Sequence, residues 1–415
     1  MAVPPSPTER RSRVKLAYLV SHPIQYQAPL LRRIAQEPDI DLTVFFGSDF
    51  SLKSYQDEGF GVDVKWDIPL LDGYKSEFLP TIRDNGTEGR FSPISRGIAS
   101  RLSGNSTGAP FDLLWVHGYA TVNAMHGLLA AKALGIPVLL RADIWLRDRV
   151  RSGAKLAIKK IFFQLLRKLV SGVLAIGTFN QEYWRHYFGE DVPLFLMPYA
   201  VDNTYFQQQS EAAQATRQEL LEELHMEPGR PVILFASKLQ RRKHCGDLIE
   251  AYARLISDRK SEETPYLLIV GDGEERAELE ELSMLKGLKN VRFCGFRNQS
   301  EMPRFFDLCS VFVLPSRHEP WGLIVNEVMN ARRPVILSDD VGCQPDLITD
   351  GVEGFVFPVG DVAALSQSLR RIFEDPDTAA RMGENALRRI NAWSFEEDIL
   401  ALRKAIAHTT RKLIP

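Results

Sequence analysis

The sequence predicts an α/β protein built from two doubly wound, Rossmann-like domains that face each other across an interdomain cleft. Three observations carry this expectation. The chain has 415 residues, about twice what one ordinary core supports. Short apolar runs alternate with longer segments of helical period, which implies parallel strands covered on both faces. The alternation then restarts after a polar helical stretch at 209–227.

In the first half, VKLAYLV (14–20) reads as a buried strand, followed by a helix over Ala28–Ala35 and the strand LTVFF. FDLLWVH (111–117) is a strand, and AMHGLLAAKALG a helix closed by Gly135. PVLLRA, the helix AKLAIKKIFFQLLRKLV and the strand GVLAIG complete the half. The second half runs PVILFAS (231–237), helix CGDLIEAYARLIS, YLLIVG, helix EERAELEELSMLKG, VRFCG and SVFVLPS (310–316). A helix from about Leu323, the strand PVILSD and a last helical stretch near 394–411 follow. The expected divisions are a disordered N-terminus (1–13), Rossmann-like domains over 14–205 and 206–393, and a terminal helix in 394–415. Ligands of such sheets bind at the carboxyl ends of the strands, which here face the cleft. The Gly, Ser and Asn-rich stretch 83–112 is a loop with one short helix, either a binding loop or a mobile one.

Composition excludes several classes. A net charge of -2 gives no electrostatic footprint for nucleic acid. The four cysteines form no C-x-x-C pair, which suits reduced cysteine and no zinc site. No apolar run approaches the ~18 residues of a membrane span, and MAVPPSPTERRSR lacks the apolar core of a signal peptide. The expected location is the cytoplasm.

Glu319 and Glu327 flank an apolar run in RHEPWGLIVNEVMN, where carboxylates without partners are costly. Residues eight apart do not share one helical face, so Glu319 is placed in the loop after the strand and Glu327 in the helix's second turn, aimed at the cleft. Gly322 allows close backbone approach, and the amides of Leu323, Ile324 and Val325 form an anion site. A phosphate there, with sugar hydroxyls on one carboxylate and ribose hydroxyls on the other, fits the pattern. Two local salt bridges on a solvated helix fit it as well.

The stretch PSRHEPWGLIVNEVMNARRPVILSDDVGCQPDLITDGVEGFVFPVGD resembles the E-x7-E region of retaining GT-B glycosyltransferases, the group one family (family four). ASKLQRRKHCGDLIEAY and LLIVGDGEERAELEEL…VRFCGF are similar to two further family segments, in order and spacing, and MPYAVDNTYF is a looser likeness to its hinge. The resemblance covers about 195–395. It implies an N-terminal acceptor-binding domain, a C-terminal nucleotide-sugar-binding domain and a last helix that crosses back to the first. It also implies that Glu319 holds donor-sugar hydroxyls, Glu327 the ribose, and Lys238 and Lys243 the diphosphate, with Phe296, Arg297 and Asn298 near the base. Lys238 stands where the family usually has arginine, a point charge in place of a forked donor.

The N-terminal half departs from that pattern. Where the family has a glycine pair, this chain reads SHPIQY, a variant loop that puts His22, Gln25 and Tyr26 at the end of the first strand. Where the family has a histidine, GIPVLLRADIW places Asp143, with Arg141 two residues before it. Asp143 is read as a sugar contact, as half of an ion pair with Arg141 or Arg147, or as a general base, which would suit inversion. His117, after the strand LLWV, is a further candidate for the same cleft.

Other signals are weaker. GDGEER (271–276) lacks the third glycine of a dinucleotide fingerprint, and DID (39–41) precedes its strand, the wrong end for a metal motif. Segment 147–168 carries eight Lys/Arg against Asp148 alone, interleaved with IFF and LL. It reads as an ordinary surface helix or as peripheral contact with an anionic membrane. The expected function is transfer of a sugar from a nucleoside-diphosphate sugar to a glycan, lipid-linked or small-molecule acceptor, with no metal and no other cofactor. A sugar-nucleotide epimerase of the same fold, and a nucleotide-sugar-binding protein without transfer activity, are the alternatives.

Overall fold

The computed structural model describes residues 13–57, 59–105, 108–146, 153–257 and 264–410; of the expected disordered segment 1–13, residues 1–12 lie outside them. The N-terminal strands are β1 (Val14–Val20), β2 (Ile40–Phe46), the hairpin β3 (Tyr55–Asp57) and β4 (Val62–Val64), and β5 (Lys75–Phe78). They continue with the small pair β6 (Thr81–Arg83) and β7 (Ile94–Ser95), then β8 (Leu113–His117), β9 (Val138–Arg141), β10 (Gly172–Ala175) and β11 (Leu194–Leu196). Seven of these form one parallel sheet in the order β11-β10-β9-β8-β1-β2-β5. Its strands are buried on both faces: Leu16, Ala17, Tyr18, Leu114, Val116 and Leu140 are sealed from solvent. The order reverses between β1 and β8, so His22 and His117 emerge side by side at the switch point where such sheets take ligands.

The second sheet contains β12 (Val232–Ala236), β13 (Tyr266–Val270), β14 (Val291–Gly295), β15 (Val311–Leu314), β16 (Val335–Ser338) and β17 (Gly354–Phe357). It is also parallel, in the order β14-β13-β12-β15-β16-β17. Its switch point lies between β12 and β15. Lys238 follows the first of these strands and Glu319 the second.

The chain leaves the first sheet at Leu196, and the helix Asn203–Ala212 already packs on the second half, with Gln207 Nε2 donating to Asn330 Oδ1 (2.8 Å). The boundary at 205/206 read from sequence therefore falls inside a helix. The last helix, Phe395–Thr410, buries Ile399, Leu402, Ala405 and Ile406 against the N-terminal sheet. Two close contacts join the halves behind the cleft. Asp346 accepts from the amide (2.9 Å) and hydroxyl (2.7 Å) of Thr178. Gly177 lies so close to Trp321 that a β-carbon there would fall 2.3 Å from its ring.

Arg141 corrects an expectation. It is 2% exposed and lies beneath the interdomain linker, with its guanidinium donating to the carbonyls of Met197 (3.2 Å) and Pro198 (2.8 Å). Its counter-charge is Asp398 of the last helix, fully buried at 3.8 Å, and not Asp143. Burial pushes the Asp398 carboxyl up, and the Arg141 charge pulls it back. Removing one member of such a pair leaves a buried charge uncompensated, at about 3–5 kcal/mol. Arg141→Met should lower the melting temperature by about 10 °C, and Arg141→Met/Asp398→Leu should recover most of that loss in thermal scans.

Candidate active site

The carboxyl ends of the second sheet open onto a cavity of about 310 Å³ between the two halves. Glu319 sits in the loop after β15, held by its own amide on the Asp340 carbonyl (3.2 Å). The residue is 9% exposed, and its carboxylate accepts a short hydrogen bond from Lys243 Nζ, with Arg242 Nη1 at 3.5 Å. Lys243 itself is buried. Desolvation lowers its ammonium pKa, and the Glu319 charge opposes that shift. Three residues on, Gly322 takes φ +88°, and a β-carbon there would crowd Leu314 and Val341 at 3.1 Å.

The helix after this turn is short, Ile324–Met329, and Glu327 lies in its first turn. Leu323 and Ile324 line the cavity. Val325 does not: it is fully buried and its amide donates to the Gly322 carbonyl (2.9 Å), so the expected three-amide anion site is reduced to the cavity-facing residues. Glu327 lines the cavity, and its carboxylate has no ion-pair or hydrogen-bond partner among the described residues. Burial alone pushes its carboxyl up to about 8.

Lys238 lines the same cavity, with its ammonium bound bidentately by Asp57 of the N-terminal half (2.7 and 3.0 Å). Phe296 and Arg297 also line it, but the Arg297 guanidinium is held outward by Glu223 (2.6 Å) and Glu301 (3.2 Å). Asn298 is turned away, with its amide donating to the Lys65 carbonyl (2.6 Å). Both polar groups at the expected base end are thus engaged elsewhere, and Phe296 is the group that faces inward.

On the opposite wall, Gln25 and Tyr26 line the cavity. His22 lies beside them against the Phe50 ring (4.4 Å), with Ser21 Oγ at 2.9 Å from Nδ1; burial lowers its pKa. Ser21 Oγ also donates to Glu88 (2.9 Å), so the 83–112 loop delivers a carboxylate to this corner. His117 is nearly enclosed, accepts from Gln27 Nε2 (3.1 Å), and is kept neutral by burial against the pull of Asp143 at 3.7 Å. Asp143 accepts a short hydrogen bond from the Tyr199 hydroxyl and is not among the residues that line the cavity. Arg147 lies outside the described residues.

Sequence reasoning did not name Asp57, Phe60, Trp66, Tyr199, Arg242 or Glu88. The first three carried a local signal: YQDEGFGVDVKW has two short strand-like runs about a glycine-rich turn. What it would dock against carried none.

Residues 216–389 match the family model described as glycosyl transferases group 1, under half of the chain. Among curated proteins the chain is similar to an alpha-D-kanosaminyltransferase of Streptomyces kanamyceticus, 34% identical over 174 residues, covering 42% of this chain and 44% of that protein. It is also similar to a D-inositol 3-phosphate glycosyltransferase of Streptomyces avermitilis, 32% identical over 170 residues, covering 39% and 36%. These matches span less than half the length of either relative. Among solved structures, a glycosyltransferase from Rickettsia africae superposes with a TM-score of 0.74 at 15% identity, covering 96% of this chain and 99% of that one. Anabaena Alr3699/HepE in complex with UDP and glucose gives 0.69 at 19%, covering 94% and 99%. Over 216–389 this chain is thus similar to the group 1 glycosyltransferases, and its two α/β halves share the GT-B fold of the solved structures.

Proposed function

We propose that the chain is a nucleotide-sugar-dependent glycosyltransferase that retains anomeric configuration. The observation that carries this reading is one cavity holding the Glu319–Lys243 pair, Lys238 and a partnerless Glu327 at the switch point of the C-terminal sheet. A nucleoside diphosphate sugar answers each of these groups. Its ribose diol donates to Glu327, its diphosphate lies against Lys238, Arg242 and the Gly322–Ile324 backbone, and its sugar hydroxyls reach Glu319. The neighbouring fold bound to UDP and glucose supports that ligand class.

In the reaction, the bond from the sugar's anomeric carbon to the diphosphate breaks. An acceptor oxygen bonds to the same face, and its proton passes to the leaving phosphate. The charge that develops is met by Lys238, Arg242 and Lys243, already placed before the reaction begins, so no step calls on a metal or a further cofactor. Asp143 then has only to hydrogen-bond a sugar or acceptor hydroxyl. A general-base role would instead favour inversion, and the anomer formed separates the two. An epimerase would release an altered nucleotide sugar without acceptor, and a binding protein would turn over nothing.

The acceptor is a glycan, a small molecule or a lipid-linked intermediate, and one surface supports the last. On the helix Gly153–Arg167, Ile158, Ile161 and Leu165 are 68%, 59% and 58% exposed, on one face beside Lys160 and Lys168. Phe163 and Leu166 do the packing. Such a face suits peripheral contact with an anionic cytoplasmic membrane surface; residues 147–152 of this segment lie outside the described set. No helix among the described residues is long and apolar enough to cross a membrane. Ile158→Glu/Ile161→Glu should abolish co-sedimentation with vesicles containing anionic lipid while leaving donor binding intact.

Glu327→Ala should weaken binding of the preferred nucleoside diphosphate by at least about 30-fold in calorimetry across UDP, GDP, ADP and dTDP, the loss expected when a buried carboxylate no longer holds both ribose hydroxyls. Lys243→Met should lower kcat by about 100-fold or more, with a much smaller change in KM. Glu327 also predicts a pH dependence without ligand. The unfolded chain releases this proton near the usual glutamate range, whereas the folded protein keeps it up to about 8, so stability falls as pH rises through that window. Glu327→Gln should therefore stabilise the protein little at pH 5 and on the order of 4 kcal/mol at pH 8, measured as a melting-temperature difference that grows with pH.

A further inference from the structure

The β3–β4 hairpin belongs to the N-terminal half but reaches across the cleft onto the donor cavity. Its two strands pair Tyr55 with Val64 and Asp57 with Val62. The turn is set by Asp57 itself, whose Oδ1 accepts the amides of Gly59 and Phe60 (2.9 Å each). That arrangement aims the carboxylate at Lys238. The turn's backbone rests on the second half: a β-carbon on Gly273 would fall 3.0 Å from the Gly59 carbonyl. The two glycines of GDGEER, which resembled an incomplete dinucleotide fingerprint, thus include one that admits this hairpin.

Beyond the turn, the contacts follow the length of the cavity. Phe60 lies edge-on to Phe296 (4.8 Å between ring centres) with Lys238 Nζ 4.8 Å over its face, and Trp66 follows at 6.4 Å from Phe296. Asn298 donates to the Lys65 carbonyl, and Ser300 donates a short hydrogen bond to Asp67. Phe60 and Trp66 both line the donor cavity. One segment therefore presents a carboxylate where the diphosphate would lie and two aromatic rings where the base would lie.

We infer that this hairpin is part of the donor site: Asp57 holds Lys238 until a nucleoside diphosphate displaces it, and Phe60 and Trp66 wall the base end and select the nucleotide. The inference rests on the nucleotide-sugar reading above. Its physical basis is competition. An internal carboxylate that occupies the cation lowers the apparent affinity for an incoming anion by the fraction of molecules in which the pair is closed. Aromatic faces beside Phe296 supply stacking surface that any base can use, while their spacing decides which base fits.

The test uses the full chain and calorimetry with UDP, GDP, ADP and dTDP, the matching nucleosides, and inorganic pyrophosphate. Asp57→Asn keeps the oxygen that sets the turn but removes the charge. It should bind the preferred diphosphate and pyrophosphate about 5-fold more tightly, with the nucleoside unchanged. Phe60→Ala should weaken the nucleoside and the diphosphate about 10-fold and leave pyrophosphate unchanged. Unchanged or weaker diphosphate binding by Asp57→Asn, with wild-type binding intact, overturns the gate and leaves the nucleotide-sugar reading standing. A wild-type protein that binds none of the four diphosphates overturns that reading and the gate together.

Discussion

The carbonyl oxygen of Tyr199 accepts hydrogen bonds from Asn326 Nδ2 and Trp393 Nε1, each 2.9 Å long, while its ring packs under the Arg141 guanidinium at 4.8 Å. Its hydroxyl donates to Asp143 and lies 3.4 Å from the Tyr26 hydroxyl. One residue of the interdomain linker thus touches the second sheet's first helix after the glutamate loop, the turn before the last helix, the core of the first sheet and Tyr26 of the cleft wall. Groups this enclosed are strongly coupled, because a polar atom that loses its partner there finds no water to replace it. The angle between the halves, and with it the separation of Asp143 from Glu319, depends on this hub.

Around it, the cleft stores charge in pairs. Glu319 is matched by Lys243 and Lys238 by Asp57, so neither lysine stands alone in a poorly solvated place. Glu327 is the exception, and its unusually high pKa records the cost of leaving a carboxylate without a partner. A ligand with one anionic and one hydroxyl-rich end is complementary to that distribution. It takes up the cations as their intramolecular partners withdraw, and it supplies hydroxyl donors to the carboxylate that has none.

Much of the fold was legible because parallel strands buried on both faces read as unbroken apolar runs, as VKLAYLV and VILFA do. The short strands Lys75–Phe78 and Leu194–Leu196 were missed, since KSEF and LFL are too brief or too polar to carry a period. At the site, the Glu319–Glu327 spacing and the lysines after β12 were readable because they sit on one continuous strand–turn–helix stretch or close to it. Arg141 was misread for the opposite reason. An arginine at a strand's carboxyl end suggests a cleft, and its partner Asp398 lies far along the chain on the last helix. Asp57 was invisible for the same reason, because its meaning depends on Lys238.

Gly177 has an extended backbone that any residue could adopt, so its requirement is one of space and not of dihedral angle. The Trp321 ring occupies the volume where a side chain would begin, and that ring stacks in turn on Trp393 (5.7 Å between centres). Adding a single methyl group at position 177 would act as a wedge between the lobes, transmitted through two indole rings to the linker's tyrosine. The spacing between the two halves is thus gauged, in part, by an atom the protein does without.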